Sequence, residues 1–456
     1  MEKKNTWETY SSKQLKELEK INAQYRDFLD NGKTERECID TIVNTIEKSG
    51  YRELESLIKE GAALKTGDKV YSVWMNKSIA MFQIGRKPMT DGMNILGAHI
   101  DSPRLDVKQN PLYEADELAF LKTHYYGGLR KYQWVTIPLE LHGVVALKSG
   151  QVVRVSVGNG EGDPLFTVDD LLPHLGAEQS RKPLGEAIPA ESLNILVGSR
   201  PLADDEGSDR VKLSILELLN RKYGIVEEDF ISAELSAVPA FRASDVGFDR
   251  SLIGAYGHDD RVCAYASLAA ILQLNDPERT AVCMLADKEE IGSEGVTGMK
   301  SAAFDTFMED LCQSQNVPLR ACYERSFCLS ADVTAAYDPN FAEVYEKRNS
   351  ALVNCGMGLC KYTGARGKSG ASDASAELVA YVRGVLDRAD VVWQMAELGK
   401  VDAGGGGTVA MFMAERNIDT LDAGVPVLSM HSPFETVGKL DCYMTFKGVK
   451  AIYEAK

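Results

Sequence analysis

The sequence predicts an α/β fold, with a mostly parallel central sheet flanked by helices and interrupted by an inserted β-rich domain. The sheet is predicted because short apolar runs alternate with segments of helical periodicity, both before residue 100 and after residue 254. The insertion is predicted because apolar and polar residues alternate along several runs between those regions. We therefore expect residues 1–105 and 249–456 to form one discontinuous domain, and residues 106–248 to form the other.

The chain opens with two predicted helices and a strand. Apolar residues recur at helical spacing in both helices, at Leu15, Leu18, Ile21 and Tyr25 and again at Cys38, Ile39, Ile42 and Ile46. Short β-like runs follow between residues 69 and 84. Residues 93–99 then have the composition of a buried strand with a polar end.

The predicted insertion has the pattern of half-exposed antiparallel strands. Apolar residues alternate with polar neighbours at Ile137, Leu139 and Leu141, and at Val153, Val155 and Val157. Residues 158–207 are rich in glycine, proline and acids, which predicts loops with one short helix at 168–175. A helix at 209–222 and a strand at 230–239 are expected to follow.

After residue 254 the alternation of strands and helices resumes, which is typical of a mostly parallel sheet covered on both faces. Strands are predicted at residues 281–286 and 326–331. Helices are predicted at residues 260–274, 302–313, 374–388, 409–416 and 442–454.

The composition excludes several classes of function. A formal net charge of −16 opposes binding to nucleic-acid phosphates, and no basic stripe reverses this locally. We expect no membrane association, because no apolar run is long enough to span a bilayer and the first residues lack an apolar signal core. The nine cysteines include no CxxC pair, which favours reduced thiols and a cytoplasmic protein.

Five segments place acidic or imidazole side chains directly after apolar, strand-like runs. In open α/β sheets, binding and catalytic sites form beyond the carboxyl ends of the strands, so such side chains can converge. The residues in question are His99 and Asp101, Asp259 and Asp260, Glu289 and Glu290, Asp332, and His431.

The first two segments each allow an ordinary structural interpretation beside the functional one. His99 and Asp101 share one face of an extended chain, so the carboxylate could orient a metal-binding imidazole, or the pair could be a solvated strand end. Asp259 and Asp260 open a predicted helix. One of them could cap that helix through its first N–H groups while the other binds a metal.

The remaining segments complete a set of possible metal ligands. One carboxylate of the pair Glu289 and Glu290 could bind a metal while its neighbour takes a proton from water, although a charged turn would look the same. Asp332 ends another apolar run, and His431 is one of only six histidines, though it could be structural. Together, nitrogen and oxygen ligands in this number suffice for two zinc ions with an open position.

This ordered set resembles the aspartyl aminopeptidase family of dinuclear zinc metallopeptidases, and the bacterial branch of that family closely. The resemblance covers nearly the whole chain, from the segment GAHIDSP at residues 97–103 to MHS at residues 430–432. It implies that the discontinuous domain is the catalytic metallopeptidase domain and that the insertion mediates dimerisation. By the same resemblance, the dimers would assemble into a dodecamer.

The resemblance also implies roles for individual residues. Glu289 would be the general base and Asp101 the acid that orients a ligand. Asp259 would be the bridging ligand rather than Asp260, because the family's bridging aspartate precedes an Asn or Asp at the helix start. The implied metal ligands are His99, Asp259, Glu290, Asp332 and His431.

Two further residues match the family more loosely. His174 lies in a segment from which family members present a histidine to the partner subunit, although an ordinary helix-end histidine is the alternative. Lys368 lies in the segment at residues 364–373, where the family places substrate contacts, although a flexible glycine-rich loop is the alternative.

The expected function is zinc-dependent removal of the N-terminal residue from peptides, with acidic residues as the preference that the family name implies. Two zinc ions per chain are expected, with cobalt or manganese as substitutes. A related dizinc amidase or carboxypeptidase is the alternative enzyme, because the same ligands serve other acyl substrates. A catalytically silent binding protein is disfavoured because no expected ligand is missing.

Overall fold

The computed structural model describes residues 5–203, 207–364, 367–370 and 372–456, which form two compact units. The first unit comprises Met1–Asp101, Ala243–Met430 and Glu435–Lys456. The second comprises Ser102–Arg242 and His431–Phe434. The boundaries therefore fall after Asp101 and Arg242, whereas the sequence predicted them after residues 105 and 248.

Most of the α-helices lie close to predicted segments, and three short ones were not predicted. The α-helices are α1 Ser12–Asn31, α2 Glu35–Lys48, α3 Leu54–Lys59, α4 Leu184–Ala187, α5 Arg210–Tyr223, α6 His258–Ile271, α7 Ala303–Ser314, α8 Leu319–Tyr323, α9 Ala376–Arg388, α10 Val409–Ala414 and α11 Lys439–Tyr453. Short 3₁₀ helices occur at Thr6–Thr9, Met89–Asp91, Lys131–Gln133, Gln179–Arg181, Ala190–Ser192, Glu227–Ser232, Glu289–Ile291 and Pro339–Val344. Capping boxes at Ser11 and Thr34 explain where the first two helices begin.

The strands of the described residues form three sheets. They are β1 Arg52–Glu53, β2 Lys69–Trp74, β3 Ser78–Gln83, β4 Asn94–His99, β5 Arg104–Ala115, β6 Leu118–Tyr126, β7 Leu139–Ala146, β8 Val152–Val157, β9 Thr167–Val168, β10 Ile195–Gly198, β11 Ala233–Pro239, β12 Ser244–Val246, β13 Leu252–Ala255, β14 Ala281–Ala286, β15 Phe327–Ser330, β16 Thr334–Ala335, β17 Met357–Cys360, β18 Trp393–Met395, β19 Asp419–Gly424, β20 Pro426–Leu428 and β21 Glu435–Gly438.

The first unit is built on a nine-stranded sheet in the order β1-β2-β3-β14-β4-β15-β19-β17-β18. The neighbours β14, β4, β15 and β19 are parallel to one another. β3 and β17 run antiparallel to these strands, so the sheet is mixed. A second sheet of this unit has five strands in the order β12-β13-β21-β20-β16. The predicted α/β class is confirmed.

Both faces of the nine-stranded sheet are buried. Successive side chains of a strand point to opposite faces, so one strand contributes to a core on each side. Within β14, Cys283 and Leu285 belong to a core shared with α1, α2, α6, α9 and α11. Val282 and Met284 belong to a second core shared with α3, α7, α8 and α10. A strand that is buried on both faces consists of an unbroken run of apolar residues. Residues 281–286 form such a run, and the buried strand predicted there is confirmed.

The second unit contains a seven-stranded sheet in the order β8-β7-β11-β5-β6-β10-β9, with antiparallel neighbours. The helix predicted at residues 168–175 is wrong. Thr167–Val168 instead pairs with β10, and the chain then turns at residues 173–175. Pro173 is consistent with a turn, because proline has no N–H for a helical hydrogen bond.

All nine cysteines are free and buried. Among the described residues, no helix has both the length and the apolar character that crossing a bilayer requires.

Candidate metal centre

Three of the predicted segments follow central strands of the nine-stranded sheet, at the carboxyl ends of these strands. His99 is the last residue of β4, and Ala286, the last residue of the parallel strand β14, is its register partner. On the other side of β4, Ser330 at the end of β15 is paired with Gly97. The turns that follow β14 and β15 carry Glu289, Glu290 and Asp332, so these acids leave the sheet beside His99.

The His99 imidazole is buried, with 1% of its surface exposed, and carboxylates surround it. Its Nε2 atom lies 3.1 Å from Asp259 Oδ1 and 3.7 Å from Glu289 Oε2. Its Nδ1 atom lies 3.1 Å from the Asp101 carbonyl oxygen and 3.3 Å from Asp101 Oδ1. Because both Asp101 atoms accept hydrogen bonds, the Nδ1–H group faces Asp101 and leaves Nε2 for a metal.

The side chains of Asp259 and Asp260 make different contacts. The carboxylate of Asp259 faces His99 Nε2, whereas Asp260 Oδ2 accepts the backbone N–H of His99 at 3.3 Å. Neither residue has helical dihedral angles, and no side-chain hydrogen bond caps α6 at Gly257. The peptide bond between the two aspartates is cis.

His99, Asp259 and Asp332 form a group of possible metal ligands within the first unit. One ligand atom from each residue lies within 4.8 Å of the other two. Ligands of one zinc ion each lie about 2.0–2.2 Å from it and hence within about 4.4 Å of one another. Small side-chain movements would therefore bring all three onto one ion.

Asp101 also holds the two glutamates that follow β14. Its Oδ1 atom accepts the backbone N–H of Glu289 at 3.1 Å, and its Oδ2 atom accepts the N–H of Glu290 at 3.2 Å. The same carboxylate thus contacts the imidazole of His99 and positions the turn that carries both glutamates. The period-two argument predicted only the first of these contacts.

The electrostatics of this cluster fit a cation. Burial raises the pKa of Asp332 well above its usual value, and the neighbouring Asp260 adds to this effect. Burial likewise raises the pKa of Asp260, while His99 opposes it. Burial lowers the pKa of His99, but hydrogen bonds to Asp101 and Asp259 outweigh this and raise it overall. Several buried carboxylates thus share one imidazole, an excess of negative charge that bound metal ions would neutralise.

Three other predicted residues have contacts of their own. His431 belongs to the second unit, where its Nδ1 atom lies 2.7 Å from the Gly128 carbonyl oxygen. His174 is exposed in the turn after β9. Lys368 is exposed, its Nζ atom lies 3.1 Å from Asp373 Oδ2, and it stands over the Tyr362 ring at 3.9 Å. Of its predicted loop, residues 365, 366 and 371 lie outside the described part.

One residue of the cluster, Glu435, is not among those predicted from the sequence. Glu435 is 1% exposed, and its Oε2 atom accepts the backbone N–H of Asp259 at 3.1 Å. It begins β21, which pairs with β13 shortly before Asp259 in the chain. No local pattern marks it, because the contact spans 176 residues.

Comparisons with known proteins identify the family of this chain. Residues 28–453 match the family model described as aminopeptidase I zinc metalloprotease (M18). A probable M18 family aminopeptidase 1 of Clostridium acetobutylicum is 51% identical over 454 residues, which cover 99% of this chain and 98% of that protein. The crystal structure of an M18 family aminopeptidase from Thermotoga maritima superposes with a TM-score of 0.95 at 43% identity, covering 100% and 99% of the two chains. A structure described as the mApe1 dodecamer of S. cerevisiae shares the fold at 20% identity, with a TM-score of 0.77 over 96% and 99%.

Proposed function

The chain belongs to the M18 family of zinc aminopeptidases and is a hydrolase, and we propose that it removes the N-terminal residue of peptides at a dinuclear zinc site. The observation that carries this proposal is the group formed by His99, Asp259 and Asp332 at the edge of the parallel strands. A buried cluster with this many carboxylates is unsuited to packing alone, because each buried charge needs a partner.

In this proposal five residues hold two zinc ions. His99 and Asp332 would bind one ion and Asp259 would be shared, so Glu290 and His431 remain for the other. Zinc supplies Lewis acidity when bound, since it polarises a carbonyl oxygen and makes water easier to deprotonate. The donor set of imidazole nitrogens and carboxylate oxygens suits zinc, and it also suits cobalt or manganese.

Glu289 would act as the general base. Its Oε2 atom lies beside the metal-ligand group, 3.7 Å from His99 Nε2, and its side chain is 17% exposed, so water can reach it. It would take a proton from the attacking water and pass a proton to the leaving amine. Asp101 would keep the His99 imidazole in one tautomer and hold the backbone of Glu289.

Lys368 is the proposed contact for the substrate side chain. An acidic N-terminal residue would meet its ammonium group, which is the physical basis for a preference of this kind. That ammonium group is already paired with Asp373 at 3.1 Å, so an acidic substrate would have to compete with a carboxylate of the protein. The preference is therefore expected to be moderate, and a Lys368→Gln variant should lose it.

We further propose that residues 106–248 mediate dimerisation, that the dimers assemble into a dodecamer, and that His174 reaches the partner's active site. Exposed leucines beside His174 support an interface here, because Leu171, Leu172 and Leu175 are 53%, 50% and 69% exposed. A cytoplasmic location is supported by the nine free, buried cysteines.

Kinetics on two sets of substrates test the activity. Aminoacyl-arylamides with a free α-amino group should be hydrolysed, and N-acylated versions of the same residues should not. Comparison of Asp, Glu, Leu and Lys arylamides measures the side-chain preference, with the Lys368→Gln variant as a control. Hydrolysis of the N-acylated set alone would replace this proposal with the related amidase or carboxypeptidase.

A further inference from the structure

A buried histidine stands directly before Asp259 and has no part in the proposed reaction. His258 is fully buried, and its two ring nitrogens each contact a different element of the first unit. Nε2 lies 3.1 Å from the carbonyl oxygen of Ile253 in β13. Nδ1 lies 2.6 Å from the hydroxyl oxygen of Tyr25 in α1.

The direction of both hydrogen bonds follows from the chemistry of the partners. A carbonyl oxygen can only accept, so Nε2 of His258 carries the hydrogen. A neutral imidazole carries one ring hydrogen, so the Nδ1 atom of His258 is an acceptor once Nε2 donates to Ile253. The hydroxyl of Tyr25 must therefore donate to Nδ1.

Tyr25 is itself held rigidly between helices. It is 1% exposed, its ring centroid lies 5.5 Å from that of Tyr265 in α6, and Phe28 packs against the same ring of Tyr265 at 5.5 Å. Burial raises the pKa of Tyr25 well above its usual value, so its hydroxyl keeps its proton. The position of His258 is thus set by α1 on one side and by β13 on the other.

Asp259 depends on such contacts because its own backbone is not helical. Its dihedral angles are φ −79° and ψ 108°, so the regular hydrogen bonds of α6 do not define its direction. Glu435 accepts the N–H of Asp259, and the contacts with Ile253 and Tyr25 hold His258, the residue before it. The resulting orientation places Asp259 Oδ1 at 3.1 Å from His99 Nε2.

We propose that Tyr25 and His258 are positioning residues for the metal centre, through which α1 sets the direction of the Asp259 carboxylate. This inference rests on the proposed role of Asp259 as a zinc ligand. Partners that orient metal ligands commonly change metal affinity by about 10–100-fold when they are removed. Loss of the Tyr25 hydroxyl should therefore weaken zinc binding, although Tyr25 is not itself a ligand.

The test compares Tyr25→Phe with Tyr323→Phe in the full-length protein. Both changes remove one buried hydroxyl that donates a hydrogen bond, since the Tyr323 hydroxyl donates to Asp305 at 2.9 Å. Zinc dissociation constants are measured by chelator competition, and the visible spectrum of the cobalt-loaded protein reports the ligand geometry. We expect Tyr25→Phe to weaken zinc binding by about tenfold or more and to shift the cobalt spectrum. Tyr323→Phe should do neither.

Two further variants identify the cause of any failure. In a His258→Leu background, adding Tyr25→Phe should change zinc affinity by less than about twofold, because the hydroxyl acts only through that imidazole. Asp259→Asn should lose far more zinc affinity than Tyr25→Phe or His258→Leu. Unchanged zinc affinity and cobalt spectrum in Tyr25→Phe, with zinc lost in Asp259→Asn, would overturn the positioning role alone. Unchanged zinc affinity in Asp259→Asn would overturn the proposed metal site itself.

Discussion

Replacement of Glu289 by glutamine is the sharpest test of the proposed chemistry. The change keeps the size and shape of the side chain and removes its ability to accept a proton. It also keeps the turn, because the backbone N–H of residue 289 still donates to Asp101. Glu289 is not one of the five proposed ligands, so two metals per chain should still bind.

The expected loss is large because, in the proposed mechanism, the base takes the proton of the attacking water in the chemical step. General-base catalysis contributes about 10²–10⁴-fold in rate, which corresponds to about 3–5 kcal/mol of transition-state stabilisation. The loss should appear in kcat with little change in KM, because the carboxylate is needed for proton transfer and not for holding the substrate. The position of Glu289 Oε2, 3.7 Å from His99 Nε2, places it next to the ligand group without making it a member.

The assay is arylamide hydrolysis at saturating zinc, with metal content measured on the same samples. Glu294→Gln is the matched control, because Glu294 lies on the same turn, is 62% exposed and pairs with Lys300. That variant should keep the wild-type rate, since an exposed ion pair contributes little. Near-normal turnover in Glu289→Gln with both metals bound would refute the assignment of the general base.

Three more predictions concern the metals, the buried acid Asp422 and the partner subunit. Chelation should abolish activity, and added zinc, cobalt or manganese should restore it. Elemental analysis should approach two metals per chain, and activity after verified metal removal would contradict the dizinc site. Burial raises the pKa of Asp422 from 3.8 to about 6, although the hydroxyls of Thr408 and Ser330 oppose the shift. The folded state therefore holds more protons than the unfolded state between these pH values, so this group's contribution to stability falls as the pH rises from about 4 to 6. Asp422→Asn should gain up to about 3 kcal/mol over the wild type between pH 4 and pH 7, and a pH-independent difference in denaturation free energy would rule this out. Mixing inactive His174→Phe protein with inactive Glu289→Gln protein should restore part of the activity, and no recovery after demonstrated subunit exchange would exclude a histidine acting in trans.

Much of this architecture could be predicted from the sequence because the signals are local. A strand buried on both faces needs an unbroken apolar run, so residues 281–286 were predicted at the bounds that β14 has. Polar residues that end such runs leave the sheet at the ends of its strands, which is why His99 and Asp332 could be predicted to lie there. The short helix predicted at residues 168–175 was wrong, because β9 pairs with a distant strand, in which Ile195 is the register partner of Val168.

Only the tertiary structure distinguishes the two adjacent aspartates. By sequence, Asp259 and Asp260 are equivalent acids at a helix start, and the family pattern alone favours the first. In the fold, the carboxylate of Asp259 faces the imidazole of His99, while that of Asp260 accepts the backbone N–H of the same residue. These contacts join positions 160 and 161 residues apart, so no local pattern can encode them.

Local sequence patterns thus specify the types of side chain available for chemistry, their order along the chain and the strand ends on which they lie. The folded structure decided which of them meet, and it added the supporting contacts of Glu435, His258 and Tyr25. The physical reason is that periodicity is set by the few residues of one strand or helix. The direction of a carboxylate in the buried site depends instead on hydrogen bonds from elements far apart in the chain.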